Sequence, residues 1–400
     1  MKGTSESLQG LTVFRFAQIW RSASAGGVEA YLMNLNRRLL ERNRIRVLQM
    51  YLTKPGVSAR VEIETVGHGE IVWIPSLITN GGELERTRTQ VYWNKVRRRI
   101  TRNIGICHDM LLSALDRYLP NLAVFHWLNV DSKIVVNYLI EKQVPYVIVN
   151  HFHNDRLKSG SIRRQIAGAL AIGGVSGIDV PEFVRDRFTN LSDGIDTDFF
   201  QLERAISMER VDSRHLVLLP SRVTENKGHL DMIRALGWLR HRGVPATLVC
   251  AGRVESAGLV KKLKKTMQKE GVEGNIIFTG ELSAVDLRNW YGASDVVAYT
   301  SYSEGLGRVL LEAQAMKRPV VAYNVGGVPE AVLQGEGGYL VEKGGYEELA
   351  GRLKELLEDK GKRDEMGERG KAFVSERFSL DALVVRHERF YAAALQQLGR

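Results

Sequence analysis

The segment Ser301-Tyr-Ser-Glu-Gly-Leu-Gly-Arg-Val-Leu-Leu-Glu312 places two carboxylates, Glu304 and Glu312, on either side of a Gly-x-Gly turn. Gly305 and Gly307 let the backbone approach a ligand closely, and the apolar spacing after them predicts a helix. Free amides and the positive end of that helix would form an anion site. Glu312, inside the helix, could accept hydrogen bonds from two adjacent ribose hydroxyls. An ordinary surface loop before a core helix is the alternative interpretation.

Short apolar strands alternate with amphipathic helices on both sides of this segment, which indicates parallel sheets. The first series of strands is expected at 11–19, 45–52, 122–126, 146–150 and 169–175. The series restarts after 191–200, with strands expected at 216–220, 246–251, 275–279, 296–300 and 319–323. The sequence therefore predicts an α/β protein with two Rossmann-like domains that face each other across a cleft. These domains would span 1–205 and 206–379, and the helix at about 380–400 would pack back on the first.

The composition is that of an ordinary globular protein, with 44% hydrophobic and 26% charged residues. Two cysteines, Cys107 and Cys250, make no disulfide framework and favour a reducing compartment. The first twenty residues lack the pattern of a signal peptide, and no apolar run approaches the length of a membrane span. We therefore expect a cytoplasmic protein.

The net charge of +10 is unevenly distributed, because the segment 86–102 contains seven basic residues and no acidic one. Aromatic and aliphatic residues are interleaved with them at near-helical spacing, so the segment could lie on an anionic membrane surface. A solvated charged face with its aromatic residue in the core is the alternative. No zinc finger, RNA-recognition signature or other nucleic-acid module is recognisable, so nucleic acid is not an expected partner.

A second chemical constellation follows the strand at 216–220, in the segment Ser221-Arg-Val-Thr-Glu-Asn-Lys-Gly228. Arg222 and Lys227 would lie at the carboxyl end of a parallel strand, where such sheets bind ligands. Two cations there could hold a diphosphate and neutralise a leaving phosphate. An exposed charged loop that includes Glu225 is the alternative.

Three weaker patterns lie in the first half and the linker. Paired glycines at Gly26 and Gly27 form the first strand-to-helix turn, but they do not complete a dinucleotide-binding fingerprint. In His151-Phe-His-Asn-Asp155 both histidines would point to one side of an extended chain, yet no further metal ligands match them. The acidic pair in Asp196-Thr-Asp198 is interpreted as turn chemistry.

Together these residues resemble the retaining family-four glycosyltransferases, a two-domain family of GT-B architecture. The matching pieces occur in the family's order at 26–29, 151–154, 176, 193–196, 222, 227–228, 278–280, 293–295, 301–312, 319–321 and 326–327. Three departures stand out: Lys317 replaces a usual glycine, Asp193 a usual asparagine and Leu306 a usual aromatic residue. None of them removes a group on which the resemblance depends.

The resemblance implies a role for each candidate residue. The donor nucleotide-sugar would be bound by Gly27, Arg222, Lys227, Ser301, Glu304, Gly305, Leu306, Gly307 and Glu312. The reaction centre would be formed by His153, Glu304, Arg222 and Lys227, with His151 as the alternative histidine. Within this set Glu312 would hold the ribose and Glu304 the transferred sugar, while Arg222 and Lys227 would hold the diphosphate. The family implies no cofactor and no bound metal.

The predicted function is transfer of a sugar, with retention of configuration, from a nucleotide diphosphate-sugar to a glycan or lipid-linked acceptor. Such a reaction belongs to the biosynthesis of cell-surface polysaccharides or glycolipids. Uridine is the favoured nucleotide, and guanosine stays open. A sugar-nucleotide epimerase of similar fold and a non-catalytic scaffold docked on a membrane are the two alternatives.

Overall fold

The computed structural model describes residues 8–19, 27–53, 60–77, 111–126, 130–150, 166, 168–174, 182–206, 214–255 and 257–397. The chain divides into two compact units. Unit 1 comprises Met1–Gly174, Asp179–Leu191 and Val384–Arg400, and unit 2 comprises Val175–Ile178 and Ser192–Leu383. Several sequence-based predictions lie outside the described residues, namely the histidines at 151 and 153, the basic segment at 86–102, Gly26, Ser176 and Cys107.

Unit 1 is built around a mostly parallel sheet. Its strands are β1 (Thr12–Ile19), β2 (Arg46–Thr53), β3 (Glu62–Val66), β4 (Gly69–Leu77), β5 (Leu122–Phe125), β6 (Tyr146–Asn150), β7 (Ile172–Gly174) and β8 (Phe188–Asn190). Its helices include α1 (Gly27–Arg42), helical residues 111–118, α2 (Val130–Glu141) and a 3₁₀ turn at Glu182–Arg187. The strand order is β3-β4-β2-β1-β5-β6-β7-β8. The order therefore reverses direction between β1 and β5.

One part of this sheet differs from the sequence-based expectation of parallel strands. β3 and β4 pair antiparallel through a tight turn at Gly67, where φ is 57°. A short hairpin needs no crossover helix, so the alternation of strand and helix does not reveal it. The strand expected at 169–175 is also shorter, since β7 covers only Ile172–Gly174.

Unit 2 contains a fully parallel sheet. Its strands are β9 (His215–Pro220), β10 (Ala246–Ala251), β11 (Ile276–Gly280), β12 (Val296–Tyr299), β13 (Val320–Tyr323) and β14 (Gly338–Val341). Its helices are α3 (His229–His241), α4 (Ala257–Glu270), α5 (Ala284–Ala293), α6 (Arg308–Ala315), α7 (Val328–Ala331), α8 (Tyr346–Glu358) and α9 (Lys360–Phe378). The strand order is β11-β10-β9-β12-β13-β14, so the direction reverses between β9 and β12. The last helix, α10 (Leu380–Gln396), starts in unit 2 and continues into unit 1.

Burial explains why these segments form strands and helices. β12 and β13 are continuous apolar runs with every residue buried, as expected for strands covered on both faces. The helices instead bury one stripe, as in α8, where Leu349, Leu353 and Leu356 enter the core. Cys250 lies in the same core as a free thiol, and burial raises its pKa to about 12.

The segment between β8 and β9 packs on unit 2. The amide of Ile195 donates to the carbonyl of Phe378 at 2.8 Å, and the amide of Ile206 donates to the side chain of Asn289 at 3.0 Å. The unit boundary accordingly lies at Leu191, whereas the sequence suggested a position near residue 205. Asp196 caps a turn by accepting from the amides of Asp198 and Phe199, which confirms its interpretation as turn chemistry.

Among the residues that the structure describes, no helix combines the length and the apolar character that crossing a bilayer requires.

Candidate functional site

The candidate site of unit 2 lies where the strand order reverses. β9 and β12 are neighbours in the sheet, and their next partners lie on opposite sides. Loops at the carboxyl ends of two such strands diverge and leave a crevice, which is where open parallel sheets bind ligands. The loop after β9 carries Arg222 and Lys227, and the loop after β12 carries Ser301 to Gly307. The two chemical constellations of the sequence therefore belong to one place.

Lys227 is the centre of this site. Its ammonium group donates to Glu304 Oε2 at 2.5 Å, to the Tyr299 hydroxyl at 3.3 Å and to Ser301 Oγ at 3.4 Å. The side chains of Lys227 and Glu304 are only 15% and 22% exposed, so water screens their attraction weakly. The structure thus brings together three of the predicted residues: Lys227, Ser301 and Glu304.

Tyr299 is a member of the site that the sequence interpretation missed. Its hydroxyl donates to Glu304 Oε2 at 2.5 Å, and its ring lies 5.5 Å from the Lys227 ammonium. Burial and the adjacent Glu304 carboxylate raise the pKa of Tyr299 well above its usual value, so its hydroxyl keeps its proton. Residues two apart on a strand point the same way, so Ser301 could have indicated Tyr299.

Two glycines allow the loops to adopt their positions. Gly228 has φ of 66°, and a Cβ there would lie 2.1 Å from the Thr300 carbonyl oxygen. The Thr300 hydroxyl in turn donates to the carbonyl of Lys227 at 3.0 Å. Gly307 has φ of 83° and immediately precedes α6, so the Gly-x-Gly turn starts a helix as predicted. These contacts lock the Lys227 loop onto the end of β12.

Glu312 lies in the second turn of α6 and has its own buried partner. The hydroxyl of Tyr291, on α5, donates to Glu312 Oε2 at 2.9 Å. Burial raises the pKa of Glu312, an effect that the Arg308 guanidinium and the Tyr291 hydrogen bond oppose. Tyr291 therefore orients the Glu312 carboxylate through one of its two oxygens. No sequence pattern links Tyr291 to Glu312, because their contact depends on how two helices pack.

Arg222 does not join the Lys227 group. Its guanidinium is 62% exposed and donates to Glu255 Oε1 at 2.9 Å, an atom that Arg253 also contacts at 3.1 Å. In this structure Arg222 therefore pairs with Glu255, and its role beside Lys227 in holding a diphosphate stays a prediction. Glu255 is 33 residues away in sequence, so the sequence around Arg222 does not predict this ion pair.

The start of α3, next to Lys227, holds two buried polar side chains that the sequence interpretation also missed. His229 is 2% exposed, and neither of its ring nitrogens has a hydrogen-bond partner. Burial, helped by the Lys227 ammonium, lowers the pKa of His229 to about 4. Asp231 accepts from the hydroxyls of Tyr302 at 2.6 Å and Tyr323 at 3.0 Å, which ties the Ser301 loop to α3.

The remaining predicted donor-site residues contribute their backbone and not a polar side chain. Gly305 and the buried Leu306 form the turn before Gly307, and the Glu304 carbonyl accepts from the amide of Gly327 at 3.4 Å. Gly27 is the first residue of α1 in unit 1. Across the residues that the structure describes, no group of three or more His, Cys, Asp or Glu side chains could hold a metal ion.

The arrangement combines a cation, two carboxylates and the start of a helix at one sheet edge. A diphosphate could displace Glu304 from Lys227, because it offers more negative charge than one carboxylate. Helix α6 would direct its amides toward the same anion. Displacement would free Glu304 to accept hydrogen bonds from hydroxyl groups of the ligand. Binding of the diphosphate to Lys227 and release of the Glu304 carboxylate would then occur together.

The comparisons with known proteins agree with this chemistry. The family model described as "Glycosyl transferases group 1" matches residues 204–373. A GDP-mannose-dependent alpha-(1-6)-phosphatidylinositol monomannoside mannosyltransferase of Mycobacterium tuberculosis is 31% identical in an alignment of 236 positions that covers 52% of this chain and 60% of that protein. A D-inositol 3-phosphate glycosyltransferase of Corynebacterium aurimucosum is 31% identical in an alignment of 220 positions that covers 52% of each chain. The aligned region thus spans 60% or less of these relatives' own length.

A solved structure extends the likeness to the whole fold. A glycosyltransferase of Rickettsia africae matches with a TM-score of 0.70 over 96% of this chain and 99% of that one, at 18% identity. This match and the two parallel α/β units confirm the predicted two-domain Rossmann-like fold of GT-B type. The chain is therefore similar to the group 1 glycosyl transferases through residues 204–373, which form most of unit 2.

Proposed function

We propose that this chain transfers a sugar from a nucleoside diphosphate-sugar to a glycan or lipid-linked acceptor. The observation that carries the proposal is the contact of Lys227 with Glu304, Tyr299 and Ser301 at the reversal point of the unit 2 sheet. A cation, a hydroxyl and a carboxylate are the groups that a sugar diphosphate needs. The match of residues 204–373 to a glycosyl transferase family supports the same reaction class.

The donor would be bound through its diphosphate and ribose. Lys227, Ser301 and the backbone of Leu306 and Gly307 would hold the diphosphate, since this end of α6 favours an anion. Glu312, oriented by Tyr291, would accept from the ribose hydroxyls. Arg222 would contribute only after exchanging Glu255 for a phosphate oxygen.

The proposed reaction retains the anomeric configuration and assigns no step to a metal. Lys227 would neutralise the leaving phosphate as the bond to the sugar breaks. Glu304, released from Lys227, would hold the transferred sugar, and the acceptor would attack the face from which the diphosphate departs. The departing phosphate could act as base for the acceptor hydroxyl. His153 is the proposed histidine at the reaction centre, with His151 as its alternative.

The nucleotide base is a separate element of the proposal. The sequence pattern favours uridine, whereas the name of the mycobacterial relative specifies GDP-mannose. Guanosine is therefore the first base to test. We further propose that the chain works in the cytoplasm at an anionic membrane surface, where the basic segment 86–102 would bind.

The test measures thermal unfolding of the full chain with GDP, UDP and ADP. A ligand that binds only the folded state stabilises it by about 2.7 kcal/mol at a hundred times its dissociation constant. One nucleoside diphosphate is expected to raise the unfolding temperature of the wild type. Lys227→Ala should lose this response and sugar transfer while it still folds. An undiminished response or undiminished transfer in Lys227→Ala would refute the diphosphate assignment.

The matched control is Lys262→Ala. Lys262 belongs to the same unit, is 62% exposed and pairs with Glu225 at 2.8 Å. This variant should respond to the nucleotide as the wild type does.

Two further tests address the alternative functions. Incubation with the donor nucleotide-sugar alone distinguishes an epimerase from a transferase, because an epimerase needs no acceptor. A Glu304→Ala variant with full biological activity would favour the scaffold.

A further inference from the structure

Arg15, on β1 of unit 1, carries a buried charge that is only partly satisfied. Its side chain has no exposed surface, and Nη1 lies 3.2 Å from Nε2 of His126. The other two guanidinium nitrogens, Nε and Nη2, have no hydrogen-bond partner. Arginine keeps its charge at any pH a protein tolerates, so Arg15 cannot avoid the cost of a buried charge by losing a proton.

The described side chains that contact Arg15, His126 and Tyr391, carry no negative charge. We name as the Arg15 cluster the buried residues Arg15, Tyr31, His126, His387 and Tyr391. The hydroxyl of Tyr31 lies 2.6 Å from Nε2 of His387, and the Arg15 guanidinium lies 5.6 Å from the centre of the Tyr391 ring. The hydroxyl of Tyr391 meets no strict hydrogen-bond geometry, but it lies close enough to the Arg15 guanidinium for that charge to oppose the rise that burial gives the pKa of Tyr391.

A counter-ion for Arg15 is not found among the described side chains. The acidic residue nearest to the cluster on α10, Glu388, is used elsewhere: it accepts from Asn43 at 2.7 Å and pairs with Arg42 at 3.4 Å. A buried charge without a partner costs several kcal/mol of folding free energy. A cost of that size indicates a group that serves something other than stability.

The position of Arg15 in the unit 1 sheet suggests that it serves to bind a ligand. β1 and β5 are the neighbours between which the strand order of unit 1 reverses, so a ligand crevice is expected at their carboxyl ends. His126 is the first residue after β5, and its contact with Arg15 places the guanidinium near that edge. In unit 2 the two strands at the reversal point, β9 and β12, are followed by the loops that carry Lys227 and Glu304.

We propose that the Arg15 cluster binds an anionic group, a phosphate or a carboxylate, of the sugar acceptor. Nε and Nη2 form one edge of the planar guanidinium, and that edge matches two oxygens of such a group. The Tyr391 hydroxyl supplies a third donor. Held away from water, these charge-assisted hydrogen bonds are strong. The assignment to the acceptor rests on the proposed function, because that function places the donor in unit 2.

The experiment compares Arg15→Met with the wild type by thermal unfolding of the full chain, with saturating nucleoside diphosphate and increasing inorganic phosphate. Phosphate should stabilise the wild type but not Arg15→Met. Without phosphate, Arg15→Met should unfold at the wild-type temperature or above it, because methionine fills the space of an unpaired buried charge. A variant that unfolds earlier, or that keeps the phosphate response, would overturn the proposal.

Further variants keep the result interpretable. Arg38→Met, on the same unit, replaces a half-buried arginine paired with Glu41 and should keep the phosphate response. Arg15→Lys retains the charge but not the two-pronged edge, so its affinity for phosphate should fall about tenfold or more. Acetate in place of phosphate separates the two chemistries, since the anion that stabilises identifies the acceptor group.

Failure of the proposed function would look different. If Arg15→Met loses the phosphate response and keeps the response to nucleoside diphosphate, the two sites are separate and both proposals stand. If no nucleoside diphosphate stabilises any variant, the donor assignment fails, while the phosphate arm still decides whether Arg15 binds an anion.

Discussion

Lys227 illustrates how one side chain can define a site. Three oxygen atoms from Glu304, Tyr299 and Ser301 surround its ammonium group. The Tyr299 hydroxyl contacts both the Lys227 ammonium group and the Glu304 carboxylate, so it fixes the spacing between these two charges. A ligand that takes Lys227 from Glu304 must therefore offer a stronger negative charge, which favours a diphosphate over a carboxylate.

His229 makes unit 2 sensitive to acid. Its pKa of about 4 lies below the ordinary value of 6.5, so between these values the unfolded chain binds a proton that the folded chain rejects. Stability from this group is present near neutral pH and is lost as the pH falls. From pH 7 to pH 5 the loss should be about 2 kcal/mol.

Urea unfolding of the wild type and His229→Phe at pH 7 and pH 5 measures this effect. Phenylalanine keeps the ring but has no proton to bind, so the variant should lose less stability on acidification. His241→Phe, at the exposed end of the same helix, controls for the substitution itself. The same pH dependence in wild type and His229→Phe would contradict the prediction.

Two elements of unit 2 depend on left-handed residues. Lys317 has φ of 56° just after α6, where the resembling family usually has glycine, and a left-handed lysine carries strain. Its ammonium group pairs with Glu368 at 2.6 Å. The departure noted in the sequence therefore falls in a turn just after α6 and leaves the candidate site intact.

Gly228 lets the loop carrying Lys227 reach the end of β12. Gly228→Ala would add left-handed strain of about 1–2 kcal/mol and also force Cβ against the Thr300 carbonyl. The loop should then move, and affinity for the nucleoside diphosphate should fall about tenfold or more, since 1.4 kcal/mol is tenfold. Isothermal titration calorimetry measures the affinity directly.

Gly243 offers a matched control at the other end of α3. Its φ is 74°, but a Cβ there would meet no atom within 4 Å. Gly243→Ala should therefore carry the strain without the collision, lose stability and keep its nucleotide affinity. Equal affinity loss in the two variants would show that strain, and not the Thr300 contact, positions Lys227.

The charge of the whole molecule leads to a prediction about membranes. The chain has a net charge of +10, and seven basic residues lie within 86–102. Each basic residue near an anionic surface contributes about 1 kcal/mol. Changing Arg97, Arg98 and Arg99 to glutamate should weaken binding to phosphatidylserine vesicles by about a hundredfold or more. Co-sedimentation measures the bound fraction.

A variant with the same total charge separates local from global attraction. Glutamate at Lys261, Lys264 and Lys265, three exposed positions on α4, changes the net charge equally. This variant should keep most of its vesicle binding. If both variants bind alike, attraction follows net charge alone, and the membrane role of 86–102 is lost.

The sequence by itself determined the repeating architecture and most members of the unit 2 site. Alternating apolar strands and amphipathic helices are local properties, and so are the Gly-x-Gly turn, Lys227 and Glu304. The sequence did not predict the antiparallel β3–β4 hairpin, because the spacing of apolar residues does not specify whether two strands pair parallel or antiparallel.

Only the tertiary structure decided which side chains meet. Lys227 and Glu304 are 77 residues apart and Lys227 and Tyr299 are 72 apart, so their contacts depend on β9 and β12 being neighbours. The Arg222–Glu255 pair, the Tyr291–Glu312 bond and the burial of Arg15 depend equally on packing. Local pattern specifies the elements, because each follows from a short stretch of chain. The chemistry between distant side chains follows from strand order, which the folded molecule alone provides.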